Sequence, residues 1–284
     1  MEPIWVTVFA DGPAGGNPCP VVFDADELTT TEMQAMAHHF GAETAFVLSA
    51  SDESDVRLRY FVPLHEMSMC VHATVASAVL LVQTGRVSAN TLTAQTELGS
   101  LPVEVDRATS SAVVAQFRPA FGPPIKDIAG VLAALRVNAT DLNPEIGPVQ
   151  SVSTARPKLM IPLRGEAVLD GLEPDFEALW KVCDALDVTG FYPFSIEGES
   201  IAARQFPNRA GYPEDPATGV AACALGAYLT AQSTRAPGWH RWTIGQGRAM
   251  GRPSLIVAES QVDHDGSISR TRVGGPVVRG ATAL

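Results

Sequence analysis

The sequence lacks the features that would place the protein in a membrane, on nucleic acid or in an oxidising compartment. No apolar run approaches the roughly 20 residues that span a bilayer, and the first residues lack the basic and apolar regions of a signal peptide. The net charge is −11, with no run of Lys or Arg to form a basic face for nucleic acid. Four widely spaced cysteines suit neither a disulfide framework nor a structural zinc site. We therefore expect a cytoplasmic protein with free thiols.

Motifs for nucleotide binding, serine hydrolysis and metal binding are also missing. There is no P-loop and no G-x-S-x-G, and the glycine-rich run at 245–251 does not follow the G-x-G-x-x-G spacing. His65, Cys70 and His72 are possible metal ligands, but no fourth ligand stands at a familiar spacing. We expect no bound metal.

Two segments without a single charged residue dominate what is present, at 73–82 and 217–229. A helix that is apolar on all sides is a buried helix. Each segment follows strand-like runs and an amphipathic helix. In the first half this helix is predicted to begin at the capping box of Thr29 and Glu32, and in the second half it is predicted over Phe176–Leu186. This repeated plan predicts two similar halves, with a boundary near the Pro-rich stretch 118–124.

Polar loops bring titratable side chains to the start of both buried helices. Cys70 and His72 precede or begin the first helix, and Asp215 precedes the second. Helix starts expose free N–H groups and favour an anion, so two facing starts would hold a carboxylate or stabilise an enolate-like charge. Taken singly, Asp215 also fits a plain N-cap, His72 a hydrogen-bonded core histidine and Cys70 a small buried hydrophobe.

Glu43 is the candidate acid/base. It stands between a predicted helix and an apolar strand, flanked by Ala42, Ala45 and Phe46. Partial desolvation there would raise the pKa of its carboxyl towards a useful range. The alternative for Glu43 is a glutamate on a surface turn.

The motifs together resemble the phenazine biosynthesis (PhzF-like) family, which is related to diaminopimelate epimerase and proline racemase. The most specific is the run Glu214-Asp215-Pro216-Ala217-Thr218-Gly219 before a buried helix. The others, in chain order and over the whole length, are 16–18, 43–46, 70–74, 158–160, 246–247 and 250–254.

The resemblance implies an α+β fold of two similar domains, each a β-barrel-like sheet around a central buried helix. We place these domains at 1–118 and 119–284, with the last strand able to return to the first. It further implies no organic cofactor, a small-molecule carboxylate substrate and a homodimer. The implied reaction is a proton shift in a small cyclic amino acid, so the chain is expected to be an isomerase.

Site residues follow from the same resemblance. Glu43 matches the glutamate that takes a proton from one carbon and returns one to another, while His72 and Asp215 match its polar support. Gly219 and Val220 match backbone donors to the substrate carboxylate. The matching motifs also place Asn17, Cys70, Val71 and Ala73 at the substrate.

Two departures leave the substrate open. The family commonly has Gly in place of Val71 and often Ser in place of Val220. The candidate substrates are a dihydro-hydroxyanthranilate and a pyrroline-carboxylate diene of an antibiotic pathway. An amino-acid racemase or epimerase using Cys70 and another base, or a non-catalytic small-acid binding protein, are the alternative functions.

Overall fold

The computed structural model describes residues 2–233 and 236–280. The α-helices are interspersed among the strands along the chain. The strands are β1 (Ile4–Val8), β2 (Asn17–Val22), β3 (Thr44–Leu48), β4 (Val56–Phe61), β5 (Glu66–Met67), β6 (Thr91–Thr96), β7 (Gly99–Asp106), β8 (Ser111–Gln116), β9 (Ala120–Pro124), β10 (Gln150–Ser153), β11 (Lys158–Leu163), β12 (Gly190–Glu197), β13 (Ser200–Ala203), β14 (Phe206–Pro207), β15 (Gly238–Gln246), β16 (Ser254–Val262) and β17 (Ile268–Arg279). The helices are α1 (Thr30–Phe40), α2 (Val71–Gln83), α3 (Ala129–Leu135), α4 (Glu166–Asp170), α5 (Phe176–Leu186) and α6 (Gly219–Gln232).

The first half closes into an eight-stranded barrel. Pairing runs from β1 through β2, β3, β4, β6, β7 and β8 to β17, which pairs back with β1. Along β7, the inward side chains of Leu101, Val103 and Val105 alternate with exposed ones. Closure leaves the ring without a free edge.

Helix α2 fills this barrel. Every residue from Val71 to Val82 is buried, and the helix contacts six of the surrounding strands. Small side chains such as Ala73, Ala76 and Ser77 let the sheet approach closely on all sides. This is why the segment carries no charge: no face of it meets water.

The second half forms a similar sheet around α6. Strands β9 to β13 and then β15 to β17 pair in succession, and α6 packs against β10, β11 and β15 to β17. All residues from Gly219 to Thr230 are buried. Strand β17 therefore pairs with β16 as well as with β1 and β8 of the first barrel. The domain boundary at 118/119 stays a prediction.

The two buried helices meet at their first residues. Gly219 at the start of α6 lies against Val71 at the start of α2, so closely that a Cβ on Gly219 would be 2.4 Å from Val71 Cγ1. The free N–H groups of both helices are therefore brought to one place. This junction positions the candidate site.

Most elements agree with the sequence patterns, apart from the starts of the two buried helices and the short helices α3 and α4, which no pattern predicted. Helix α1 has the predicted capping box and ends at Gly41 in the left-handed conformation, and α5 has the predicted bounds. The buried helices begin at Val71 and Gly219 instead of 73 and 217, because their N-caps, Cys70 and Thr218, make no side-chain cap that a motif could reveal. Across residues 2–233 and 236–280, no helix is both long and apolar enough to cross a bilayer.

Candidate active site

A cavity opens where the two helix starts meet. Its walls include Glu43, Cys70 and His72 from the first half and Asp215 from the second. Val71, Gly219 and Val220 also line it, as the sequence analysis expected. The structure thus brings together the three predicted catalytic side chains, which the chain separates by up to 172 positions in numbering (215 − 43).

Glu43 sits just before β3 and is held by donors from both halves. Its Oε1 accepts a short hydrogen bond from the Tyr212 hydroxyl. Its Oε2 lies 3.1 Å from Cys70 Sγ and 3.4 Å from His72 Nδ1. The side chain keeps only 11% of its exposure, so Glu43 is not the surface-turn glutamate of the alternative interpretation.

The expected raised pKa of Glu43 is wrong in direction. Burial by itself would raise the pKa of this carboxyl, but His72 and the hydrogen bonds from Tyr212 and Cys70 outweigh burial and lower it. The flanking apolar residues in the sequence revealed the desolvation and could not reveal the donors. Glu43 is therefore an ionised carboxylate at neutral pH, the state that a base needs.

His72 and Cys70 are the partners of that carboxylate from the first half. Burial lowers the pKa of His72, while the charge of Glu43 acts against this. Burial, and then the charge of Glu43, raises the pKa of the Cys70 thiol well above its usual value, even though the Ala73 N–H favours the thiolate. A thiol in this state is a poor base or nucleophile at neutral pH.

Glu43, Cys70 and His72 also form the one set of three side chains in residues 2–233 and 236–280 whose ligand atoms could share a metal ion. Their nearest atoms stand 3.1, 3.3 and 3.4 Å apart. These separations are near those of ligands on one face of a tetrahedral zinc site. His65 lines the same cavity but does not belong to the set.

Asp215 is buried and closely held by the second half and by β2. Its Oδ1 accepts a 2.7 Å hydrogen bond from the Asn17 amide, and its Oδ2 shares a short hydrogen bond with the Thr218 hydroxyl. Its backbone N–H donates to the Gln205 carbonyl, and its own carbonyl accepts from the Gln246 amide. The N-cap of α6 is Thr218, so Asp215 is not a plain N-cap.

Asp215 differs from Glu43 in protonation. Burial, followed by the charge of Glu43, raises the pKa of Asp215 to about 8, against the opposing hydrogen bonds from Thr218 and Ala217. At neutral pH the cavity therefore holds one carboxylate and one carboxylic acid. Two carboxyl groups whose environments separate their pKa values are suited to act as base and acid.

Two residues expected at the substrate lie behind the cavity lining. Asn17 donates to Asp215 and to the Ala217 carbonyl, so it positions Asp215. Ala73 is fully buried within α2, with its N–H directed at Cys70. Their predicted contact with substrate stays a prediction.

Several side chains that line the cavity received no role from the sequence, among them Tyr212, Lys158, Arg156 and Gln205. Tyr212 stands at the start of the loop that carries Asp215, and Lys158 begins β11 inside a motif of the family resemblance, but neither received a role. Arg156 and Gln205 had no distinguishing pattern. A charged residue such as Lys158 at the start of a wholly buried strand is the one signal that could have revealed a member of this group.

One cavity thus gathers a carboxylate, a second carboxyl group with a raised pKa and two helix starts, a combination that suits proton transfer. Residues 6–282 match the PhzC-PhzF family model, described as phenazine biosynthesis-like protein. The chain belongs to this family, which confirms the resemblance identified from the motifs.

Curated relatives in the family are named isomerases. The uncharacterized isomerase YddE of Escherichia coli K12 is 33% identical over 282 residues, covering 96% of this chain and 94% of the relative. The trans-2,3-dihydro-3-hydroxyanthranilate isomerase of Pseudomonas aeruginosa is 30% identical over 264 residues, covering 90% of this chain and 89% of the relative. The expectation of an isomerase is confirmed at the level of the family.

Solved structures confirm the fold. The Bacillus anthracis phenazine biosynthesis protein of the PhzF family superposes with a TM-score of 0.88 at 26% identity, covering 99% of this chain and 97% of that one. A probable proline racemase from Agrobacterium radiobacter K84 superposes with a TM-score of 0.66 at 11% identity, covering 100% and 93%. The predicted diaminopimelate epimerase-like fold is confirmed.

Proposed function

We propose that this protein is a cofactor-independent isomerase that shifts a proton between two carbons of a small cyclic amino acid or related carboxylic acid, with Glu43 as the acid/base. The observation that carries the proposal is the ionised, largely buried Glu43, which faces a cavity together with a protonated Asp215. The substrate carboxylate would bind the backbone N–H groups at the starts of α2 and α6.

Each side chain then has a chemical task. Glu43 takes a proton from one carbon of the substrate and returns it to another. Tyr212, Cys70 and His72 hold the carboxylate in place and stabilise its charge before the transfer. Asp215, with its proton, supports the charge that develops on the substrate at the moment of transfer.

The two-base racemase alternative has weaker support. It needs a thiolate at Cys70, whereas burial and Glu43 keep the pKa of that thiol high. It also needs a second base across the cavity, where the structure has Asp215 with a pKa of about 8. One carboxylate base suits a proton shuttle better than a symmetric exchange between two thiols.

Solvent-deuterium incorporation tests the proposal. Purified protein is incubated in D2O with candidate cyclic amino acids, among them trans-2,3-dihydro-3-hydroxyanthranilate, the substrate named for the Pseudomonas relatives, and pyrroline-carboxylate dienes. NMR follows the carbon-bound protons. We expect Glu43→Gln to lose exchange by at least about a hundredfold, and the exposed Glu27→Gln, which carries the same change, to exchange like wild type.

Three outcomes would contradict the proposal. Exchange by Glu43→Gln at the wild-type rate would remove Glu43 from the mechanism. Loss of exchange in Cys70→Ser alone, with Glu43→Gln active, would favour the racemase. A wild-type protein that binds such acids but exchanges none of them would favour the binding-protein alternative.

A place in antibiotic or phenazine biosynthesis, cytoplasmic location and a homodimeric state complete the proposal. The pathway and the homodimer come from the family resemblance, and the location is the expectation drawn earlier from the sequence. Size-exclusion chromatography with light scattering measures the oligomeric state directly.

A further inference from the structure

The cavity contains a second group of polar side chains for which the proposed mechanism has no use. Arg156, Lys158 and Gln205 line it together with Thr189. Lys158 begins β11, Arg156 lies just before that strand, and Gln205 follows β13. None of them belongs to the start of a buried helix.

These side chains have donors that remain free. Lys158 is only 4% exposed, and its ammonium donates to the Thr189 carbonyl at 3.2 Å. Gln205 accepts from the Thr218 hydroxyl through Oε1, but its buried Nε2 has no partner in the described chain. Within residues 2–233 and 236–280, the hydrogen bond of the Arg156 guanidinium goes to the Met67 sulfur, at 3.1 Å.

Two of these side chains, Lys158 and Gln205, lie against the same stretch of backbone. Lys158 Nζ reaches the Thr189 carbonyl, and the next residue is Gly190. Gln205 Nε2 approaches Gly190 so closely that a Cβ there would be 2.6 Å from it. Lys158 and Gln205 therefore flank the same peptide unit at the cavity wall, beside Arg156.

The cations here have no carboxylate in direct contact, although the charges of Asp215 and Glu43 act to raise the pKa of Lys158 and Arg156 lowers that of Glu43. Neither Arg156 nor Lys158 forms an ion pair within 4.0 Å in residues 2–233 and 236–280. Burial, and then the charge of Arg156, lowers the pKa of Lys158 to about 7. A buried ammonium without a counter-ion is costly, and so is a buried amide donor without an acceptor. An anion bound at this place would remove both costs.

We infer that Arg156, Lys158 and Gln205 form a subsite for a second carboxylate, so that the substrate is a dicarboxylic amino acid. This inference rests on the proposed function, in which the helix starts already hold the first carboxylate. The planar guanidinium of Arg156 offers the paired N–H groups that a carboxylate accepts, and the Gln205 amide offers a further donor.

A matched pair of unreactive acids tests the subsite. Isothermal titration calorimetry measures pyrrole-2-carboxylate and pyrrole-2,5-dicarboxylate, which differ by one carboxylate, at the same pH and salt. Wild type should bind the dicarboxylate roughly tenfold to a hundredfold more tightly, the range for hydrogen bonds to charged groups. Arg156→Gln should bring that ratio close to one while leaving the monocarboxylate affinity within about twofold, a change smaller than one hydrogen bond.

Two controls separate the subsite from other effects. Arg57→Gln removes the same charge from the exposed face of β4 and should keep the wild-type ratio. Arg156→Lys restores the charge without the planar fork and should recover only part of the ratio. Circular dichroism confirms that each variant is folded.

Equal affinity of wild type for the two acids would overturn the inference. So would an equal loss of both affinities in Arg156→Gln, because that result assigns the first carboxylate to the cations. Both outcomes leave the proposed function untouched, since neither acid reports on proton transfer. Failure of the proposed function is seen separately, in the exchange assay of Glu43→Gln.

Discussion

The contact between Gly219 and Val71 offers a sharp test of the site's construction. Replacing Gly219 with Ala would place a methyl group 2.4 Å from Val71 Cγ1 and 2.7 Å from Val71 Cβ. Carbon atoms pack favourably at roughly 3.5–4.0 Å, so the new methyl overlaps by about 1 Å. Val71 is 1% exposed and β-branched within a helix, which leaves it little freedom to turn away.

The overlap has a calculable consequence. Inserting a methyl into a packed interior typically costs about 1–3 kcal/mol, and replacing Gly by Ala in a helix returns at most about 1 kcal/mol. We expect Gly219→Ala to lose about 1–2 kcal/mol of unfolding free energy. The two helix starts would move apart by up to about 1 Å, and a misplacement of that size can reduce the exchange rate on the order of a hundredfold.

Urea denaturation and the deuterium-exchange assay measure both effects in a double-mutant cycle with Val71→Gly. Val71→Gly removes both atoms that the new methyl group of Gly219→Ala would overlap. In that background, Gly219→Ala should therefore reduce the free energy of unfolding by at least about 1 kcal/mol less than it does in wild type. Gly130→Ala, at an exposed position of α3, is the matched control: its methyl group would lie 3.2 Å from Val182 Cγ2, a much milder contact, so it should destabilise less than Gly219→Ala. Strictly additive effects, or a Gly219→Ala variant as stable and active as wild type, would refute the packing argument.

Three further predictions concern charge and metal binding. Tyr212→Phe removes a donor that lowers the pKa of Glu43, so the acid limb of the pH–rate profile for exchange should move to higher pH; an unmoved limb would contradict the role given to Tyr212. The pKa of Asp215 is raised from its ordinary value of 3.8 to about 8 in the folded state, so its contribution to stability is present below pH 3.8 and is lost as pH rises to about 8. The stability of wild type relative to Asp215→Asn should fall across that window in urea titrations, and a constant difference would count against a protonated Asp215. Zn²⁺ should inhibit exchange by binding Glu43, Cys70 and His72. EDTA should relieve the inhibition, and Cys70→Ser should be inhibited more weakly than wild type. Full exchange at saturating Zn²⁺ would show that these three side chains do not bind the ion.

Local patterns predicted the elements that depend only on neighbours along the chain. The capping box of Thr29 and Glu32 places the start of α1 because its two hydrogen bonds join residues three apart. Likewise, the spacing of apolar residues in Phe176–Leu186 predicts one buried face of α5. The short helices α3 and α4 went unpredicted, since their few turns carry too little periodicity.

The candidate site divides in the same way. The motifs supplied Glu43, His72 and Asp215 as chemistry-bearing residues, each at the edge of an apolar element. They could not show which side chains would contact each of these residues in the folded chain. The Tyr212 hydroxyl that holds Glu43 stands 169 positions away in the chain, and the Asn17 amide that holds Asp215 stands 198 positions away.

By itself, the sequence determined that two charge-free helices must be buried and that polar loops introduce them, because an apolar surface on every face has no stable place in water. The fold is what brings these helices together at Val71 and Gly219, lowers the pKa of Glu43 and raises that of Asp215. A pKa depends on the charges, donors and solvent within a few ångströms. Those neighbours come from distant parts of the chain, and folding alone brings them together.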